Sequence, residues 1–421
     1  MKKYSFLTDS LEWSKPSTNY FVKTNILSYK IQVLASNNAI KYQYFNPITP
    51  VDFDIDIEEE ATISTDYLKE EDEKNYSSYN LITNFFKNFN NFDFYNPQFN
   101  NVENPKYDKL YVFSDSLADP GNAFQATKSA QIFDRFLGLD IPVTPPSPLY
   151  FEGRFSNGLV WVEELANDLD IDLTPSTDLS VFSPKFPISS PLTFNFSNGI
   201  NVEVSPYFNG KTTEQSVNFA FGGAKTGATG LEEFGDLIPG IQKQVEWFIE
   251  DHQLVNQQAD SDALYILSGG SNDYADEIIP NPEDVVNNIG QEIQSLYDIG
   301  ARDFLVSNLV DLNPFPETNS VPNLIQTHNA ILEQTLDQLE GSLTGINIAT
   351  LDFNFLFNDI VAKPDDYGLA NVTDPYLDPI TLTPTVGADP DEYLLFDTIH
   401  PTAAVHDIIN DFALTTIAAE L

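Results

Sequence analysis

The chain has 421 residues and an apolar share of 42%, enough to build a large buried core. It carries 63 acidic against 20 basic residues, a formal net charge of −43, which repels polyanions and argues against nucleic acid or an anionic membrane as a partner. It has no cysteine, which excludes a disulfide framework, a thiol nucleophile and a Cys-ligated zinc. The charge is uneven. Residues 1–109 hold 11 basic and 16 acidic residues, whereas 110–421 hold 9 and 47, and the excess reads as a solvated acidic surface. No apolar run reaches 18 residues, so no transmembrane helix and no stable membrane insertion is expected. Asp9, Glu12 and Lys15 interrupt the stretch after Met1-Lys2-Lys3, so no signal-peptide core is expected there. The localisation stays open between cytoplasm and export without a cleaved signal.

In chain order, residues 1–105 read as an N-terminal extension of unknown role. Tyr29 to Tyr44 alternates as two short strands around Asn37-Asn38. Asp52, Asp54 and Asp56 alternate with Phe53, Ile55 and Ile57. They suit a strand with an acidic outer face better than a calcium loop, because the loop glycine and closing glutamate are missing. Glu70 to Lys74 reads as a charged turn, and 84–101 is rich in Asn, Phe and Tyr without a regular period. From Lys109 the texture changes. Strands are expected at Leu110–Phe113, Ala263–Leu267, Phe304–Leu309 and Ile346–Phe353. Helices are expected at Leu159–Leu169, Ile241–Ile249, Pro282–Ile299, Leu324–Leu339 and His406–Leu421. Thr174 to Pro191 is rich in Pro, Ser and Thr, and Leu192 to Ser205 alternates around Ser197-Asn198-Gly199, so a hairpin insertion is expected near 174–205. Strands alternating with helices predict a three-layer α/β/α domain over 106–421 with a parallel central sheet.

Four short segments supply the parts of ester hydrolysis. Phe113-Ser114-Asp115-Ser116-Leu117 offers a serine just after an apolar strand. Asn218 to Gly227 (NFAFGGAKTG) offers glycine amides, and Gly269 to Asp273 (GGSND) an asparagine amide. Asp397-Thr398-Ile399-His400-Pro401 offers a histidine three residues after a carboxylate, so one loop can present both. A G-x-S-x-G elbow is absent. A phosphate loop at Gly222-Gly223 would need a Gly-Lys-Ser/Thr ending, which is also absent. Of the four histidines, His252 is expected to be solvated at a helix end, His328 to be structural within a helix, and His406 to pack or cap.

These segments resemble the blocks of the GDSL esterase/lipase family within the SGNH hydrolase superfamily, in its plant-lipase-like branch. Asp119, Gly121 and Asn122 fit the continuation of the first block, and Arg154 to Gly158 followed by Trp161 resembles a stretch frequent in that branch. The resemblance covers about residues 107–421 and implies an SGNH-hydrolase, flavodoxin-like fold. It implies Ser116 as nucleophile with its own N–H in the oxyanion hole, Asn272 as a side-chain donor, His400 as base and Asp397 as its partner. Gly223 is implied as the remaining donor, with Gly222 beside it as the alternative register. Ser114 departs from the family pattern, which has glycine there. The expected function is hydrolysis of carboxylic esters, with a small-molecule ester or lipid as substrate and neither cofactor nor metal. A phospholipase or acyltransferase of the same family, or a non-catalytic adhesion or carbohydrate-binding protein, is the alternative.

Overall fold

The computed structural model of the chain describes residues 20–26, 29–36, 39–45 and 107–421, except 138–142, 147, 184–191, 196–200, 232–237, 276–277 and 312–323. The chain divides into two compact units, Met1–Phe92 and Asp93–Leu421. In the first, β1 (Tyr20–Ile26), β2 (Tyr29–Ser36) and β3 (Ala39–Phe45) form an antiparallel meander. The β2–β3 register ends at Ser36↔Ala39, and Asn37 and Asn38, read above as a turn, lie outside the described residues. Residues 52–56, 70–74 and 84–101, read above as an acidic-faced strand, a charged turn and an irregular stretch, lie outside the described residues.

The second unit begins with β4 (Leu110–Ser114), then α1 (Asn122–Leu137) and α2 (Trp161–Asp168). β5 (Leu173–Pro175) follows, then β6 (Val181–Ser183), β7 (Leu192–Asn195) and β8 (Asn201–Tyr207). β9 (Ser216–Asn218), α3 (Ile241–Val255), β10 (Leu264–Ser268) and α4 (Pro282–Asp298) come next. β11 (Asp303–Ser307), α5 (Leu324–Ser342), β12 (Asn347–Leu351), α6 (Phe353–Ala362) and α7 (Ala403–Glu420) complete it. β7 and β8 pair antiparallel as the expected hairpin, and β6 adds to its other side. Residues 196–200, which include the expected turn at Ser197-Asn198-Gly199, lie outside the described residues.

The central sheet is parallel throughout, in the order β12-β11-β10-β4-β9-β5. Helices cover both faces, giving the three-layer α/β/α architecture. The strand residues explain this. Tyr111, Phe113, Tyr265, Leu267, Phe304 and Val306 point to one face, where they join Phe248 of α3, Ile293 of α4 and Leu332 of α5. Leu110, Val112, Leu264, Ile266 and Leu305 point to the other and join Trp161 and Leu165 of α2, Phe353 of α6 and Ile409 of α7. A strand buried on both faces reads as an unbroken apolar run rather than an alternation. The order also fixes where a site can form. After β4 the chain builds β5 and β9 on one side, then crosses to β10 on the other, so β4 lies at the switch in strand order. The crevice beyond the carboxyl ends of such strands is where open α/β sheets bind ligands.

Several boundaries differ from the pattern. The last core strand stops at Leu351, because the Asp352 side chain accepts the Phe355 N–H and starts α6. β5 and β9 have three residues each, too short for a periodic signal. His252 is buried, not solvated. Helix α3 runs on to Val255, and Asp251 accepts the Gly210 and Thr212 N–H groups, drawing that loop over the histidine. The His252 ring rests 4.0 Å from that of Phe248.

Glu292 of α4 is buried, and neither of its carboxyl oxygens has a hydrogen-bond partner among the described residues. Burial raises its pKa well above the ordinary carboxylate range, and the charges of Asp273 and Glu246 add to the effect. The folded chain therefore holds this proton to higher pH than the unfolded chain does. Its cost is absent below the ordinary carboxylate range and grows as pH rises through and above it. Glu292→Met is expected to raise Tm by a few degrees at pH 8 and by less at pH 5. A gain of equal size at both pH values in thermal melts would show that ionisation plays no part.

Candidate active site

The four sequence segments meet at the carboxyl ends of β4, β9 and β10. β4 delivers Ser114 with its N–H and C=O both held by the Gln244 side chain, at 2.9 Å each. Ser114 is not among the residues with positive φ, which explains how a serine replaces the family's glycine there. The chain then turns, with the Ala118 N–H on the Asp115 carbonyl, and leaves Ser116 part-exposed at the tip.

The segment after β12 and α6 brings the histidine. Asp397 Oδ1 accepts the backbone N–H groups of Ile399 and His400 at 2.9 and 2.8 Å, closing a tight Asx turn. That turn places His400 Nδ1 2.8 Å from Asp397 Oδ2. His400 Nε2 lies 2.9 Å from Ser116 Oγ. An ionised carboxylate only accepts, so Nδ1 carries the proton and the Nε2 lone pair faces the serine hydroxyl. Burial works against the Asp397 charge. The charge and hydrogen bond of His400, the Ile399 amide and the Tyr150 hydroxyl together outweigh it and hold the carboxyl well below the ordinary range. Asp115, also buried, sits on the serine turn. Burial pushes its pKa up to about 6, against the pull of the Leu117 amide and of His400.

The glycine pair after β9 divides its work. The Gly222 N–H donates to Asp119 Oδ2 at 2.7 Å, so it is already taken. A Cβ at Gly222 would also strike the Phe155 ring, at 2.0 Å. Gly223 has φ +83, a conformation that favours glycine. Among the described residues, no acceptor is assigned to its N–H or to that of Ser116. Asn272 follows β10. Its Nδ2 donates one hydrogen to the Ala224 carbonyl at 2.9 Å, and Asp115 Oδ2 stands 3.5 Å away, too far for a good second bond. Asp273 does not cap its own turn. It accepts the N–H and hydroxyl of Thr226 and so ties the β10 loop to the β9 loop.

Tyr150 carries no sequence signal, whereas Phe155 lies within the Arg154–Gly158 stretch noted above. Tyr150 donates its hydroxyl to Asp397 Oδ2 at 2.7 Å, and the Phe155 ring lies 4.9 Å from that of His400. The Arg154–Trp161 stretch ties this segment to the histidine loop. Arg154 forks onto Glu163 at 2.7 and 2.7 Å, Ser156 Oγ donates to the Pro401 carbonyl, and Asn157 Oδ1 accepts the Ala403 N–H. The other histidines stay outside. His406 Nδ1 accepts the Trp161 N–H, and His328 Nδ1 meets the Tyr274 hydroxyl. Both are buried, and burial lowers their pKa, to about 3 and about 4. Among the described residues no group of His, Asp and Glu could hold a metal ion. No described helix is long and apolar enough to cross a membrane.

Such an arrangement can move a proton from a serine hydroxyl to a carboxylate-backed imidazole, beside amides with no acceptor of their own. The chain is 26% identical over 285 residues to a GDSL lipase of Tanacetum cinerariifolium, covering 62% of this chain and 67% of that protein. It is 23% identical over 350 residues to the thermolabile hemolysin of Vibrio parahaemolyticus, covering 78% and 68%. A crystal structure of a GDSL-like lipase from Bacteroides thetaiotaomicron matches at 15% identity with a TM-score of 0.29, covering 48% of this chain and 75% of that one. Residues 110–412 match the family of GDSL-like lipases and acylhydrolases, and the chain belongs to that family.

Proposed function

We propose that the chain hydrolyses carboxylic esters through an acyl-enzyme on Ser116. The observation that carries this is the relay from Ser116 Oγ through His400 to Asp397, at 2.9 and 2.8 Å. Ser116 Oγ attacks the ester carbonyl while His400 Nε2 takes its proton, and Asp397 stabilises the imidazolium that forms. The N–H groups of Ser116 and Gly223 and the free Asn272 amide hydrogen receive the oxyanion. Gly223 takes this role rather than Gly222, whose N–H is spent on Asp119. His400 then returns the proton to the leaving alcohol, and water repeats the cycle on the acyl-enzyme. The steps need neither metal nor cofactor.

An apolar acyl or lipid chain is the favoured substrate. Leu149 and Phe151 flank Tyr150, and Ile399 precedes His400. All three side chains are exposed beside residues that touch the relay. Two of the relatives above are named as a lipase and a hemolysin, which points the same way. Hydrolysis of p-nitrophenyl esters from acetyl to palmitoyl tests the proposal, with Ser116→Ala beside the wild type. The expected result is turnover that prefers longer chains and falls by at least about 10⁴-fold in the variant. Equal rates in both proteins, or no turnover of any ester by the folded wild type, would overturn it.

A further inference from the structure

We infer that Tyr150 is a positioning residue for the Asp397–His400 pair, its hydroxyl sharing the carboxylate charge that His400 would otherwise hold alone. The inference rests on the serine-hydrolase reading of the site. The two oxygens of Asp397 are used differently. Oδ1 accepts two backbone amides of its own turn, which no side-chain change removes, and stands 3.0 Å from His400 Nδ1. Oδ2 is shared between His400 Nδ1 at 2.8 Å and Tyr150 Oη at 2.7 Å. Among the described residues, the tyrosine hydroxyl is therefore the long-range donor on the oxygen nearer the imidazole.

Its placement is built rather than incidental. The ring is buried, edge-on to Phe155 and Phe396 with centroids 6.3 and 5.3 Å away. The segment that carries it is closed by the Phe151 N–H on the Ser156 carbonyl, and Ser156 is itself bonded to Pro401, next to His400. Burial and the Asp397 charge both raise the Tyr150 pKa, so the hydroxyl keeps its proton and stays a donor. The other titratable groups facing the pair are Asp115 on the serine turn and His406 on α7, and the charge of His400 lowers the pKa of each.

Removing the hydroxyl concentrates the carboxylate charge on the imidazole. The protonated ring is then held more tightly, and a higher pH is needed to free Nε2. A residue that merely filled space would leave that pH unchanged. The test is Tyr150→Phe, which keeps the ring and removes one atom, with a melt to confirm folding. The acid limb of the kcat/KM–pH profile is expected to move up by about half to one unit. The plateau kcat is expected to fall roughly three- to tenfold, because the Asp397–His400 pair is held less firmly against Ser116, with KM within about twofold. The His400 ring titration, followed by NMR, moves in the same direction and does not depend on turnover. An acid limb and a ring titration that stay in place, with activity still dependent on Ser116, would overturn the inference alone. Activity that survives Ser116→Ala would instead overturn the reading on which it stands.

Discussion

His400→Ala is expected to lower kcat by roughly 10⁴- to 10⁶-fold, with a far smaller change in KM. The reason is geometric. Among the described residues, His400 Nε2 is the one group hydrogen-bonded to Ser116 Oγ. A serine hydroxyl near neutral pH is a poor nucleophile until a base takes its proton. Asp397→Asn is expected to lose about 10⁴-fold, because an amide at that place donates to Nδ1 and leaves the wrong nitrogen protonated. The losses are not additive. Ser116→Ala and His400→Ala together are expected to lose no more than either alone, since each already disables one unit. Single-turnover kinetics on the three single variants and the double, with melts to show that each is folded, checks this. A His400→Ala variant within tenfold of the wild type would remove the histidine from the reaction.

Much of this site is legible in the sequence because its parts are local. Asp397 and His400 stand three residues apart, and their turn is closed by backbone amides in between, so the spacing carries the geometry. The core strands β4, β10 and β11 are legible for a related reason: each is buried on both faces and reads as an apolar run. What the pattern misses is assembled over distance. Tyr150 reaches Asp397 across 247 residues, and nothing in the sequence around it marks the contact. β9 has only three residues. It is a strand because β4 and β5 lie on either side of it, not because of its own period. His252 shows the same limit from the other direction: acidic neighbours suggest solvent, but a loop held by Asp251 covers the ring. The choice between Gly222 and Gly223 is likewise invisible locally. It depends on a carboxylate about a hundred residues earlier.

That carboxylate, Asp119, gives the other large expected effect. It has no exposure to solvent. Its oxygens accept four backbone amides, those of Gly121, Asn122 and Ala123 at the start of α1 and that of Gly222 after β9. Asn122 reinforces the same junction, its amide bonding the carbonyls of Asn218 and Ala220 at 2.9 Å each. The start of α1, just after the serine turn, and the glycine turn are thus fastened to one another by the Asp119 and Asn122 side chains. Asparagine at 119 offers one acceptor oxygen and turns an NH₂ toward groups that also donate. At least one buried amide then loses its partner, at about 1–3 kcal/mol each. Asp119→Asn is expected to lower stability by about 3 kcal/mol or more in urea. It is also expected to lower kcat by roughly a hundredfold, because Gly222, once released, no longer fixes where the Gly223 N–H points. The measurement pairs a urea melt with kcat at a temperature where the variant is folded. A loss of stability with kcat unchanged would mean that Asp119 holds the fold without aiming the oxyanion donor.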